Sequence, residues 1–85
     1  MADRPTQATQ PITAREIKTT AEALVIVLAD REVSIAWDDC SPTLAAASSE
    51  QRSQVQLSPG GYGIHWPLLD EDLAVDALVR AAEGR

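Results

Sequence analysis

The 85-residue chain reads as an α+β domain, with a small antiparallel sheet of three to five strands, two short helices and a C-terminal helix. Three observations lead there. The runs ALVIVLA (Ala23 to Ala29) and EVSIAW (Glu32 to Trp37) alternate with a period of two, as strands do. Two serine-headed segments, at Ser41 and Ser48, carry helix-capping patterns over only a few residues. Near the end, Val75, Leu78, Val79 and Ala82 recur at i, i+3, i+4 and i+7, which is the apolar stripe of one helix.

Residues 1–11 are polar, hold Pro5 and Pro11 and show no periodic apolar positions. Nothing there offsets the entropy of ordering, so they read as a disordered tail ahead of a single domain over residues 12–85. Ile12 to Thr19 is rich in β-branched residues and suits an edge strand with a polar outer face. In the next run Leu24, Ile26 and Leu28 share one face while Val25 and Val27 share the other. Both faces want cover, which describes a central strand. Asp30-Arg31 separates it from a half-buried hairpin partner whose inner face is Val33, Ile35 and Trp37; that turn contains no glycine.

After Asp38 the period changes. Ser41 can cap a helix that starts at Pro42, where a missing N–H costs nothing, with Leu44 facing inward. Ser48 to Gln51 forms a capping box, so a second short helix runs to about Gln54. Val55 to Leu57 resumes strand alternation, Ser58 to Gly61 supplies a turn, and Tyr62, Ile64 and Trp66 line one strand face until Pro67 ends the ladder. Leu73 would point away from the final apolar stripe if that helix began earlier. The helix is therefore expected near 75–83, with Gly84 past its end and Leu73 packing from an extended or turn conformation.

The formal charge is −6, from thirteen acids against seven Lys and Arg. Such a balance lacks the cationic surplus that neutralises phosphates, so direct nucleic-acid binding is not expected. Asp70, Glu71, Asp72, Asp76 and Glu83 crowd the C-terminal segment, where a basic partner would be attracted. Cys40 is the only cysteine, which excludes an internal disulfide and fits a reducing compartment, so a cytoplasmic location is expected. The longest apolar run falls far short of the roughly 20 residues a membrane helix needs. With three aromatic residues the core is small, and self-association into a homodimer would support it.

Few residues can carry chemistry. GGYG (Gly60 to Gly63) lacks the following helix and the Lys of a phosphate loop and reads as a turn. A calcium loop counted from Asp70 would put Val75 at the tight-turn glycine and Ala81 at the bidentate acid, which excludes an EF-hand. The acids instead suit a solvated lead-in to the helix, near the positive end of its dipole. One His and one Cys cannot build a zinc site without recruiting carboxylates. A hydrolytic triad would need His65 with Cys40 or a serine and Asp70 or Asp72, a spacing nothing supports; His65 reads more simply as a strand residue bonded to a nearby carbonyl or carboxylate. Trp66, before Pro67, suits either the core or an interface. No cofactor is expected.

The C-terminal half, with SPTL (Ser41 to Leu44), a capped short helix with Arg52, then GGYGIHWPLLDEDLAV (Gly60 to Val75), resembles the bacterial family named domain of unknown function 2442. The resemblance lies on Gly63, Ile64, His65, Trp66, Pro67, Leu69, Asp70, Glu71 and Asp72 and covers about residues 12–80. The chain departs from the family pattern at Asp30-Arg31, where Asp-Gly is usual, at Cys40-Ser41, where an aromatic usually precedes the proline, and at Ala74, where Ser is common and would cap the last helix better. The resemblance implies a small α+β domain with an antiparallel sheet. It also implies a non-enzymatic protein, often encoded beside a second small protein in arrangements resembling toxin and antitoxin pairs. Some members are fused to a helix-turn-helix domain, for which this chain has no room. The expected function is an acidic, antitoxin-like domain that binds a small basic cognate protein through Asp70, Glu71 and Asp72, with His65 and Trp66 shaping the patch. The alternative is an acidic mimic of nucleic acid that inhibits a nucleic-acid-binding protein; a small hydrolase using Cys40 or His65 is the third reading.

Overall fold

The computed structural model describes residues 11–84 and has the expected α+β class; the tail expected over residues 1–11 lies, apart from Pro11, outside the described residues. Six strands divide between two three-stranded antiparallel sheets, where alternation alone suggests one. The first sheet holds β1 (Glu16–Thr19), β2 (Ala23–Val27) and β3 (Glu32–Ala36), with β2 central. The second holds β4 (Gln56–Leu57), β5 (Gly63–Trp66) and β6 (Glu71–Ala74), with β5 central. Three short helices join the sheets: α1 (Trp37–Cys40), α2 (Pro42–Ala45) and α3 (Ser49–Ser53). A 3₁₀ turn, Pro59–Gly61, precedes β5, and α4 (Val75–Glu83) closes the fold.

The β2–β3 register sets Leu24 opposite Ile35 and Ile26 opposite Val33, so the apolar sets of both strands share one buried face. Val25 and Val27 are half-buried on the other face, where Lys18 of β1 reaches Glu32 of β3 at 3.6 Å. The connecting turn closes by the Leu28 N–H donating to the Arg31 carbonyl at 2.7 Å, and it needs no positive φ. Arg31 has a further use. Its Nε and Nη2 both donate to the Glu83 carboxylate at 2.6 Å, a bidentate fork that ties the hairpin to the end of α4.

Both expected caps form. The Ser41 hydroxyl accepts from the Leu44 N–H at 3.1 Å, and Ser48 and Gln51 complete a reciprocal capping box. Arg52 then donates from Nε and Nη2 to the carbonyls of Leu44 and Ala45, satisfying the open end of α2, while its guanidinium lies 5.2 Å from the Trp37 ring centroid. At the start of α4, Ala74 offers no side-chain cap; the Val75 N–H is satisfied by the Tyr62 carbonyl at 3.0 Å.

Apolar residues from both sheets and the helices merge into one buried cluster that includes Leu24, Ile26, Leu44, Ile64, Trp66, Val75 and Val79. Trp37 and Trp66 meet edge to face at its centre, 6.5 Å apart. Both indole N–H groups are satisfied, Trp37 by the Thr20 carbonyl and Trp66 by the Arg52 carbonyl. Tyr62 corrects the sequence expectation: its α-region backbone places it before β5, and its side chain is 56% exposed instead of joining Ile64 and Trp66.

Candidate functional site

The five residues expected at the surface patch all lie on the β5–β6 hairpin, but its pleat distributes them to different sides. The register pairs His65 with Asp72 and Trp66 with Glu71. Successive strand residues point to opposite faces, so His65 and Asp72 share the outer face while Trp66, Glu71 and Leu73 turn toward the core side.

Trp66 is 0% exposed. It anchors the hairpin from within and cannot touch a partner, which corrects the expectation that it shapes the patch. Glu71 is half-buried, whereas Asp70 and Asp72 are exposed. The run of three acids is therefore not one cluster. It follows a tight loop into a strand that the reading of a solvated helix lead-in misses. The signal for β6 is slight: Glu71 and Leu73 share a strand face, but Glu71 interrupts its apolar character.

His65 Nδ1 and Asp72 Oδ1 stand 2.7 Å apart, with side-chain exposures of 40% and 74%. The carboxylate thus holds the ring in place across the strand pair. Among the described residues, no hydroxyl or thiol hydrogen-bonds to the other ring nitrogen. Cys40 offers no activated nucleophile either: burial, with a smaller contribution from Asp39, pushes its thiol up to about 11. The described residues contain no group of three or more potential metal ligands and form no pocket.

The loop from Pro67 to Asp70 completes the surface. The Leu69 N–H donates to the Trp66 carbonyl at 3.1 Å, and Asp70 takes a positive φ of 50°, a conformation that Asp and Asn tolerate better than most residues. Leu68 stands 59% exposed at the tip. Its prominence has no signature in the sequence, where it reads as one of two adjacent leucines. Among the described residues no Lys or Arg pairs with Asp70 or Asp72. The outer face of the hairpin therefore presents two exposed carboxylates with no Lys or Arg partner among the described residues, one of them holding an imidazole, and an apolar tip.

The GGYG segment at the opposite end of β5 is structural. Gly61 has φ +76°, and its carbonyl accepts from the Ala14 N–H at 2.8 Å, so the backbone leading into the first sheet occupies the space beside it. Ser58 completes the joint by accepting from the Gly63 N–H at 2.9 Å.

The fold is similar to two solved structures. A crystal structure of a protein of unknown function from Rhodospirillum rubrum matches with a TM-score of 0.75 and 23% identity, over 89% of this chain and 94% of that one. A solution structure of an uncharacterized protein from Chromobacterium violaceum matches with a TM-score of 0.67 and 24% identity, over 94% of this chain and 73% of that one. No curated protein matches. The model of the family described as protein of unknown function (DUF2442) matches residues 14–84, and the chain belongs to that family.

Proposed function

We propose that this chain is a non-enzymatic protein-binding domain, the antitoxin-like member of a two-gene module, which engages a small basic cognate protein through the outer side of the β5–β6 hairpin. The observation that carries the reading is that Asp70 and Asp72 are exposed with no Lys or Arg beside either among the described residues, Asp72 meeting only the His65 ring. A net charge of −6 would draw a basic partner from a distance, and the exposed Leu68 offers it an apolar contact at the hairpin tip. Burial of Trp66 supports the hairpin from behind, so the surface is presented on a fixed frame.

The mimic of nucleic acid shares the charge, but it calls for a row of carboxylates on one side. Strand alternation turns Glu71 away from Asp72 and leaves that row short.

Isothermal titration of the chain against the product of the adjacent gene tests the proposal. Asp70→Asn with Asp72→Asn should weaken binding by about tenfold at low salt, since each removes one exposed charge contact. The melting temperature should be nearly unchanged. Asparagine keeps the positive φ at position 70 and an acceptor for His65 at position 72, so the pair of substitutions removes charge alone. Unchanged affinity, or a loss of folding that accounts for the whole effect, refutes the proposal.

A further inference from the structure

We infer that β6 is an open docking edge, along which an extended Lys- or Arg-bearing segment of the partner adds as a further strand. The inference rests on the partner-binding reading above and specifies how the partner is held. β6 ends its sheet, with β5 on one side only. Among the described residues no hydrogen bond outside that ladder reaches the backbone of Glu71–Ala74. Alternate N–H and C=O groups of the strand therefore face outward without a partner among the described residues.

Exposed edges are commonly blunted by short length, by charged side chains, Lys above all, by Pro or by a bulge. β6 has no Lys or Pro and its register runs unbroken from Trp66–Glu71 to Gly63–Ala74; its four residues and two acids guard it against a neutral or acidic strand but not against a basic one. β3 also ends a sheet, but its exposed acid Glu32 is already met by Lys18. Among the described residues no Lys or Arg meets Glu71 or Asp72 of β6, and Asp72 is bonded only to the His65 ring.

Charge identifies the occupant. Gly63 to Ala74 contains three acids and no Lys or Arg. A strand laid beside β6 places alternate side chains about 5 Å from Asp72, within easy reach of a lysine. A second copy of this chain would instead bring Asp70, Glu71 and Asp72 to the same seam as their own counterparts, and like charges across a strand pair repel. A basic segment of another protein suits the edge; self-pairing does not.

The test uses the full chain, isotope-labelled for amide exchange, with a blocked hexapeptide of alternating lysine and valine as probe. Two comparison peptides carry glutamate in place of lysine, or proline in place of the central valine. Saturation with the lysine peptide should slow the fast-exchanging amides within Glu71–Ala74 by about tenfold, with affinity falling as salt is raised. The glutamate peptide should not bind, and the proline peptide should bind at least about tenfold more weakly because it loses a ladder hydrogen bond. Absence of binding, binding without protection at β6, or equal binding of the proline peptide overturns strand addition. The cognate protein separates this inference from the reading beneath it. If its binding depends on Asp70 and Asp72 yet leaves β6 unprotected, strand addition fails while the partner surface stands; binding that ignores both carboxylates removes the surface itself.

Discussion

Replacing Gly61 by Ala, alongside the same change at Gly60, measures whether the GGYG segment is a joint in the fold. Both glycines have positive φ, +76° and +84°, so an L residue at either costs roughly 1–2 kcal/mol in backbone conformation. Their surroundings differ. A Cβ at Gly60 would lie 2.8 Å from the ring of Tyr62, an exposed side chain that can swing away. A Cβ at Gly61 would lie 2.1 Å from the Ala14 carbonyl oxygen and 2.9 Å from the Ala14 nitrogen, which are backbone atoms held by the chain itself. Ala14 would have to retreat, losing the 2.8 Å hydrogen bond to Gly61, about 1 kcal/mol, and loosening its buried contacts. The total for Gly61→Ala is then about 3 kcal/mol or more, against a stability of about 4–13 kcal/mol for a domain of this length. A gap of about 2 kcal/mol between the two variants corresponds to roughly 8–16 °C in melting temperature. Trp37 and Trp66, both buried, report unfolding by fluorescence. Equal shifts for the two variants would refute the close approach of the Ala14 backbone at Gly61 and reopen the segment to a ligand role.

Cys40 should alkylate slowly, since a thiol raised from 9.0 to about 11 holds roughly a hundredfold less thiolate at pH 8; iodoacetamide kinetics at the rate of an ordinary thiol would contradict its burial. Acid should destabilise the fold through Asp76 and Glu83. The Ile12 N–H, followed by Arg80, holds the Asp76 carboxyl below its ordinary value, and the fork from Arg31 does the same for Glu83. Groups lowered in the folded state contribute stability above the ordinary carboxylate range and lose it as pH falls through their folded values. The urea midpoint should therefore drop below about pH 4, and Asp76→Asn or Glu83→Gln should each make that drop shallower. An unaltered pH profile in both variants would show that these contacts are not made in solution.

The parts of the fold that the sequence discloses are those whose causes are local. Ser41 with Pro42, and Ser48 with Gln51, satisfy helix amides within one turn, so their residue types suffice to place α2 and α3. Leu24 and Ile26 against Val33 and Ile35 set a hairpin through alternation alone, although Trp37, which continues the alternation in the sequence, opens α1 instead. The start of α4 follows from Leu73, which fits a strand and not the helix stripe. What escapes is what depends on distant partners. Arg31 looks like a poor turn residue until Glu83, 52 positions later, is beside it. Tyr62 seems to continue the Ile64–Trp66 alternation, yet its backbone bends into the α region and its carbonyl starts α4. At the candidate site the residue types are legible, but the faces are not, because β6 has to be recognised before alternation can sort Asp70, Glu71 and Asp72.

That sorting makes binding and stability separable on one hairpin. Trp66 and Ile64 are in the core, and Leu73 packs against it from β6, so changes there act on folding first. His65 and Asp72 occupy the outer face, bonded to each other, and Asp70 and Leu68 stand at the tip, so changes there leave the core untouched. Glu71 lies between the two regimes, half-buried opposite Trp66, and substituting it would mix both effects. A partner that reads this hairpin from outside can respond to Leu68, Asp70 and Asp72 and cannot respond to Trp66 except through loss of the frame. Truncating Trp66 should therefore weaken binding only as far as it unfolds the chain, whereas removing the two outer charges should weaken binding in a chain that remains folded.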